Sequence, residues 1–252
     1  TVITAEHLDA AVDRFRTTYR AERRDCAILP PTPFGDADRL WEAVAALAGT
    51  GGVAALEGDE LIGYAFPGYH FAFKGQTTAM VPEIGHAAAP GTADRVYPRM
   101  LARLGETWAA QRAGLHILGY LAHDAALETL LYRFGYGQIL TERLRDLSPV
   151  DGAGSRAGLA VHVQDDLNAL VALDAEHRAY YAGPPIFVNK PSGDRDAILR
   201  DLEAERDQGS TFFVHRRDGV PVGYFVVGPS AQDGEGLLLR ATHSAQVRGA
   251  YV

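Results

Sequence analysis

Nine histidines and one cysteine are the residues best able to ligate a metal, and their spacing argues against a metal site. No two histidines stand at the H-E-x-x-H interval, so a metal would need ligands gathered from distant segments. Cys26 alone can form no internal disulfide and offers no thiolate cluster to zinc or iron–sulfur; it is read as a small, buried or half-buried residue. Proton transfer has more candidates. Glu83, His86, His116, His123 and Tyr132 all fall between Met80 and Leu147. Taken singly, each is explained as well by a solvated or salt-bridged glutamate, an ordinary strand or loop histidine, or a packing tyrosine.

The elements that must position these residues read strand, long helix, strand, short helix, strand. Met80 to Ala88 is an apolar run of strand length that ends in a loop at Ala89–Gly91. A helix opening at Asp94 carries Val96, Tyr97, Met100, Leu101, Leu104 and Trp108 at three- and four-residue spacing. Leu115 to Leu121 reads as a second buried strand. Asp124 is placed to cap a helix with Leu127, Leu130, Leu131 and Phe134 on its apolar face, stopped by Gly135. Gly137 to Leu147 alternates apolar and polar residues, which predicts an antiparallel strand with one wet face.

Upstream lie a helix with Leu8, Ala11, Val12, Phe15 and Tyr19, a Pro-rich loop, and a second helix with Leu40, Trp41, Val44 and Leu47. A hairpin of Val53–Leu56 with Leu61–Phe66 follows. Gly68 to Thr78, with Tyr69, Phe71 and Phe73, is expected to be an irregular strand or a pocket wall. Residues 148–158 are polar and Gly-rich, which marks a linker between a domain at 1–147 and another at 159–252. In the second domain the same grammar restarts. A strand at Leu159–Val163 leads to a helix running from Gln164 toward Tyr180, another helix carries Ile198, Leu199 and Leu202, and a hairpin turns at Asp218 and Gly219. The GlyTyr pair at Gly63 and Tyr64 recurs at Gly223 and Tyr224. The pattern breaks off at Val252, the counterpart of Ala88, so a longer native chain is expected.

An apolar content of 47% against 22% charged residues describes a chain able to bury a proper core. A net charge of −8 without a basic block argues against nucleic acid as a partner. No run approaches membrane-spanning length and no secretory leader precedes the first helix, so a cytoplasmic protein with no membrane partner is expected.

The order of elements, the GlyTyr hairpin at Gly63 and Tyr64, the strand ending Ala88–Ala89–Pro90 and the LeuLeuTyrArgPheGlyTyr run at Leu130–Tyr136 resemble the GNAT superfamily of N-acetyltransferases. The resemblance implies an α/β (α+β) architecture, two tandem GNAT-like folds with a mixed, mostly antiparallel sheet flanked by helices. It implies acetyl-CoA as cosubstrate, with no metal, and a small-molecule primary amine as acceptor. Ala87 and Ala88, and in the second copy Gly249, Ala250, Tyr251 and Val252, would pair with the cofactor. Glu83 would serve as base, and Tyr132 stands near the position that protonates the leaving thiolate. Tyr180, Tyr181 and Phe187 fall where the acceptor pocket is shaped, or form an aromatic latch between the copies. The family's glycine-rich phosphate turn is replaced here by Ala93–Pro98, in which Asp94 repels phosphate, Pro98 lacks a donor, and Arg95 is the one compensating ligand. The first copy is therefore read as degenerate and the second as the better bet for activity. The alternative is a non-catalytic binding or assembly module, including one that completes an open strand edge by oligomerisation.

Overall fold

The computed structural model describes residues 1–73, 75–149, 161–163, 166–184, 193–229 and 244–251. It is a mixed α/β protein whose largely antiparallel sheets are flanked by helices. The chain divides into two compact units, Thr1–Leu147 and Ser148–Gln232 with Ala241–Val252.

The first unit opens with α1 (Leu8–Asp25) and α2 (Ala37–Ala48). Ala11, Val12, Phe15, Tyr19 and Glu22 are the buried residues of α1, at the spacing that places them on one side. Asp36 caps α2 by accepting from the Asp38 N–H. Its buried residues are Leu40 and Val44. Trp41, grouped with them by spacing, is 43% exposed, because its indole N–H reaches across to the Asp9 carboxylate at 2.8 Å.

The hairpin of β1 (Val53–Glu57) and β2 (Glu60–Ala65) follows as its turn residues predict, with Gly58 at positive φ. The expected irregular stretch after it is a regular hairpin of β3 (Tyr69–Phe73) and β4 (Gln76–Val81). The single strand expected from Met80 to Ala88 is broken. β4 ends at Val81, a turn of 3-10 helix occupies Glu83–Gly85, and β5 (His86–Ala88) resumes the strand. Pro82 is the physical reason, since it has no N–H to continue a ladder.

β2 with β3 and β4 with β5 are thus the arms of one long bent hairpin. Ala65 faces His86 and Tyr69 faces Met80, so residues 66–68 on one arm lie opposite the longer stretch 81–85 on the other. The surplus bulges out as the Glu83 turn. At the bend Gly68 has φ +76, and a Cβ there would stand 1.9 Å from the Met80 carbonyl oxygen.

Two three-stranded sheets result, ordered β1-β2-β5 and β3-β4-β6. α3 (Ala93–Ala110) buries the six residues its periodicity predicts. β6 (Leu115–Leu118) is shorter than expected and lies parallel to β4. α4 (Ala125–Arg133) is capped by Asp124, with Leu127 and Leu131 inward and Phe134 46% exposed beyond its end. Tyr64 and Phe66 belong to a core shared with α1 and α2, while Ile62, Ala65 and Val81 belong to one shared with α3 and α4. A Cβ on Gly63 would meet Val96 Cγ1 at 2.6 Å, so glycine lets α3 press on β2. The strand expected at 137–147 does not form. That stretch carries no assigned strand, and Leu140 is 75% and Leu147 99% exposed, since alternation alone supplies no partner edge.

The second unit is a four-stranded antiparallel sheet ordered β10-β9-β8-β7, from β7 (Val161–Val163), β8 (Thr211–Arg217), β9 (Val220–Pro229) and β10 (Ala245–Tyr251). The β8–β9 turn at Asp218 and Gly219 has positive φ at both positions, as its sequence predicts. The helix expected from Gln164 is a 3-10 turn at Leu167–Leu170 followed by α5 (Val171–Ala182). α6 (Arg195–Asp207) is capped by Asp194. Leu170, Ile198, Leu202, Phe212 and Val226 form the core. Phe187, Val252 and most of the expected linker lie outside the described residues. Among the described residues no helix is long and apolar enough to cross a membrane.

Gly68→Ala is expected to cost at least ~3 kcal/mol, because left-handed strain adds to a backbone clash that cannot relax. Gly58→Ala, also at positive φ but with open space around it, is expected to cost about 1–2 kcal/mol. Urea denaturation of the two variants checks the contrast.

Candidate functional site

The last rung joining β4 to β6 is the Gly119 N–H to the Val81 carbonyl, 2.8 Å. Past it β4 ends and the chain turns into the 3-10 helix at Glu83–Gly85, and the two chains separate. β5 stays with β2, while the chain after β6 runs on as Gly119, Tyr120 and Leu121 toward α4. The consequence is a gap in the ladder between β5 and the chain after β6.

Hydrogen-bond parity decides which groups of β5 face that gap. Phe66 donates to the Gly85 carbonyl and Ala89 donates to the Ile62 carbonyl, so residues 85, 87 and 89 direct their backbone groups at β2. Those of His86 and Ala88 point to the opposite edge. The pair Ala87 and Ala88 is thereby separated in role: Ala87 is committed to Tyr64, and Ala88 presents its N–H and C=O to the open side.

Glu83 sits on the bulged turn at the head of the gap. The turn is held by Tyr64, whose hydroxyl donates to the Ile84 carbonyl at 2.8 Å. Oε2 of Glu83 is buried and has no hydrogen-bond partner among the described residues. Burial pushes its carboxyl up to about 7, against a smaller opposing pull from a backbone hydrogen bond, and the nearby Glu142 carboxylate adds to the rise. Gly119 makes room for it: a Cβ at Gly119 would lie 3.1 Å from Glu83 Cδ and 3.3 Å from the Glu83 nitrogen. Neither Gly119 nor Glu142 stood out in the sequence. The signal for Gly119 was a glycine directly after an apolar strand run, where a side chain is missing against a neighbouring backbone.

His86 spans the gap. Nε2–H donates to the Gly119 carbonyl at 2.7 Å, and Nδ1 accepts from the Tyr97 hydroxyl at 2.8 Å. A carbonyl can only accept, so these bonds fix the Nε2–H tautomer of a neutral ring. Burial lowers the pKa of His86, which keeps it neutral. The far wall is pinned in turn. The His123 N–H donates to Glu22 Oε2 at 3.1 Å and the His123 ring to Glu22 Oε1 at 2.7 Å. His123 is a clasp rather than a member of the gap, and its hydrogen bond to Glu22 raises its pKa. His116 packs against Trp108 with the rings tilted and their centroids 4.3 Å apart.

The other expected residues are placed as follows. Tyr132 is 52% exposed on α4, next to buried Leu131. Arg95 is exposed at the start of α3 and donates to Glu57 at 2.9 Å. Asp94 is exposed in the first helical turn, and Thr92 bonds the Ala89 carbonyl instead of capping. In the second unit Gly249 lies beside a bulge opposite Val226, Ala250 opposite Phe225 and Tyr251 opposite Tyr224. Tyr180 is 58% exposed, and Tyr181 packs edge-on against His177 at 4.7 Å. A groove of about 1050 Å³ runs between β1 and α3, lined by Ile62, Val96, Met100, Arg95 and Arg99. Glu83, His86 and Gly119 do not border it, and arginines are poor proton carriers, so the gap is the better candidate for chemistry. Among the described residues no group of three or more His, Cys, Asp or Glu is placed to hold a metal.

The raised pKa of Glu83 has a sign. Between about 4.5 and 7 the folded chain holds a proton that the unfolded chain has released, so stability is greatest below this window and falls as pH rises through it. Glu83→Gln is expected to flatten that fall and to exceed the parent in stability above pH 7 by on the order of 2–3 kcal/mol. Urea midpoints across pH 4–9 check it.

No protein-family model matches the chain, and no curated protein matches it. Among solved structures it is similar to a probable acetyltransferase at 13% identity and a TM-score of 0.40, over 60% of this chain and 97% of that one. It is also similar to the aminoglycoside N-acetyltransferase AAC(6')-Iy in complex with CoA, at 14% identity and a TM-score of 0.35, over 60% of this chain and 98% of that one. Overlap at this level does not fix an activity.

Proposed function

We propose that the chain is an N-acetyltransferase that moves an acetyl group from acetyl-CoA to a small-molecule primary amine, with Glu83 as the base. The observation that carries this is the Glu83 carboxyl: buried at the head of a strand gap, with one oxygen unpartnered among the described residues and a pKa of about 7. A carboxyl so tuned can accept a proton from an ammonium group near neutral pH, as an ordinary exposed glutamate does poorly.

Acetyl-CoA would supply the acyl group as a thioester laid along the open edge of β5. Glu83 takes a proton from the ammonium, which leaves the nitrogen lone pair free to attack the acyl carbon; the C–S bond then breaks, and the CoA thiolate leaves with the second amine proton. The Ala88 N–H is positioned to donate to the carbonyl oxygen as charge develops on it. His86, tied to Gly119 and Tyr97, keeps the two walls at a set separation. Grip on the phosphates is the weaker half of the fit, because Asp94 stands at the helix start and Arg95 is engaged by Glu57.

That weakness favours the second reading, a non-catalytic binding or assembly module, since Arg95 is the one phosphate ligand available at this helix start. The tandem reading draws support from strand register. Val2 bridges Val53, which faces Ala65; Val163 faces Phe213, which faces Phe225. Tyr64 lies opposite Ala87 and Tyr224 opposite Tyr251. We read 1–147 and 159–252 as two copies of one design, joined at 148–158.

Calorimetric titration of acetyl-CoA, followed by coupled assay of CoA release over a panel of primary amines, tests the proposal. Turnover with an acidic limb near pH 7 that Glu83→Gln depresses by about 10²-fold is expected. Glu57→Gln, which frees Arg95, is expected to tighten acetyl-CoA binding several-fold. No binding and no CoA release with any amine would leave the module reading in its place.

A further inference from the structure

Arg95, Arg99 and Arg103 recur at four-residue spacing along α3, and all three line the groove between β1 and α3. In a chain of net charge −8, the same lining carries a single carboxylate among the described residues, Glu106. Two of the arginines hold surface partners. Arg95 donates to Glu57 at 2.9 Å, with 46% and 64% of the two side chains exposed, and Arg103 pairs with Glu106 on the same helix. Exposed pairs of this kind contribute little and exchange readily for another carboxylate. Arg99, between them, is exposed and has no hydrogen-bond or ion-pair partner among the described residues.

The remaining lining is largely apolar. Val53 and Ala55 lie on one face of β1, half-buried, and belong with Val96, Met100 and Leu104 of α3 to one core. Thr1 and Val2 extend the strand wall: Val2 bridges Val53, and the Thr1 carbonyl accepts from the Ala54 N–H at 2.9 Å. Arg95 and Ala110 both border the groove, and fifteen residues of helix between them rise about 22 Å. The volume, about 1050 Å³, lies above the roughly 300–1000 Å³ of small-molecule pockets.

Spacing identifies the occupant. Four residues of helix rise about 6.0 Å, and same-side residues of an extended chain repeat about every 6.6–6.8 Å. Three acids at alternate positions of a strand therefore meet the three arginines in one register, while the residues between them turn toward Val53 and Ala55. A compact anion would engage one or two arginines and leave most of the length empty.

We propose that the groove between β1 and α3 is a docking site for an extended acidic peptide of a partner protein, with carboxylates at alternate positions. It is separate from the gap at Glu83, whose residues do not border it.

Fluorescence anisotropy with the full chain tests this, using a labelled peptide in which three glutamates alternate with valines. A second peptide of the same composition with the glutamates contiguous keeps the charge and loses the register, and is expected to bind about fivefold more weakly. Arg99→Ala is expected to weaken the alternating peptide by a similar factor, about fivefold, and Arg99→Glu to abolish its binding. A peptide with lysine in place of the middle glutamate should bind Arg99→Glu more tightly than it binds the parent. Glu83→Gln should bind the alternating peptide as the parent does. No binding of the alternating peptide, equal binding of the two glutamate peptides, or failure of the charge swap would each overturn the proposal. Light scattering that shows a dimer in the parent and a monomer in Arg99→Glu would seat a second copy of the chain in the groove and overturn it as well. Circular dichroism of the Arg99 variants separates lost binding from a lost fold.

Discussion

A mismatch in length between the arms of one bent hairpin governs the first unit. Residues 66–68 face 81–85, and Pro82 sits where the next ladder bond would have formed. A strand cannot carry surplus residues and stay flat, so the excess leaves the sheet as a helical turn, and the parallel neighbour β6 loses its partner at the same point. The gap, the burial of Glu83, the exposed backbone edge of β5 and the bridging role of His86 all descend from that interruption. Gly68 on the other arm and Gly119 on the far wall are the concessions that let backbone and carboxyl come so close.

The two units place different polar loads beside a sheet tyrosine. In the first, Tyr64 spends its proton on a backbone carbonyl, which fixes a turn. In the second, Tyr224 spends it on a carboxylate, which fixes a histidine tautomer. Asp174, buried on α5, decides the use made in the second unit. The sheet geometry around the tyrosine is the same kind of antiparallel ladder in both.

Much of this was legible in residue order because it is local. The six-residue inner face of α3, the Asp124 cap, the Asp218–Gly219 turn and the Gly58 turn each depend on a handful of consecutive residues, and all stand where their chemistry predicts. Glu83 was legible as a carboxylate within the strand read at Met80 to Ala88, but its environment was not. Gly119 and Glu142 reach it through tertiary contacts that no window of sequence contains. The alternation in Gly137–Leu147 misled for a related reason: period-two patterning says that a strand would have two faces, not that an edge exists to receive it. His177 went unseen because an aromatic-rich helix end looks the same whether its rings pack on leucine or on a hydrogen-bonded imidazole.

The clasp between Glu22 and His123 gives the gap its mechanical character. One wall, β5, is part of the sheet and moves with it. The other wall is a short connection that would flicker on the nanosecond scale if free, yet a charge-assisted pair and a backbone N–H moor it to the end of α1. Any widening of the gap therefore drags on a helix eighteen residues long or breaks the mooring first. So moored, that wall would shift at the pace of helix displacement rather than of loop diffusion.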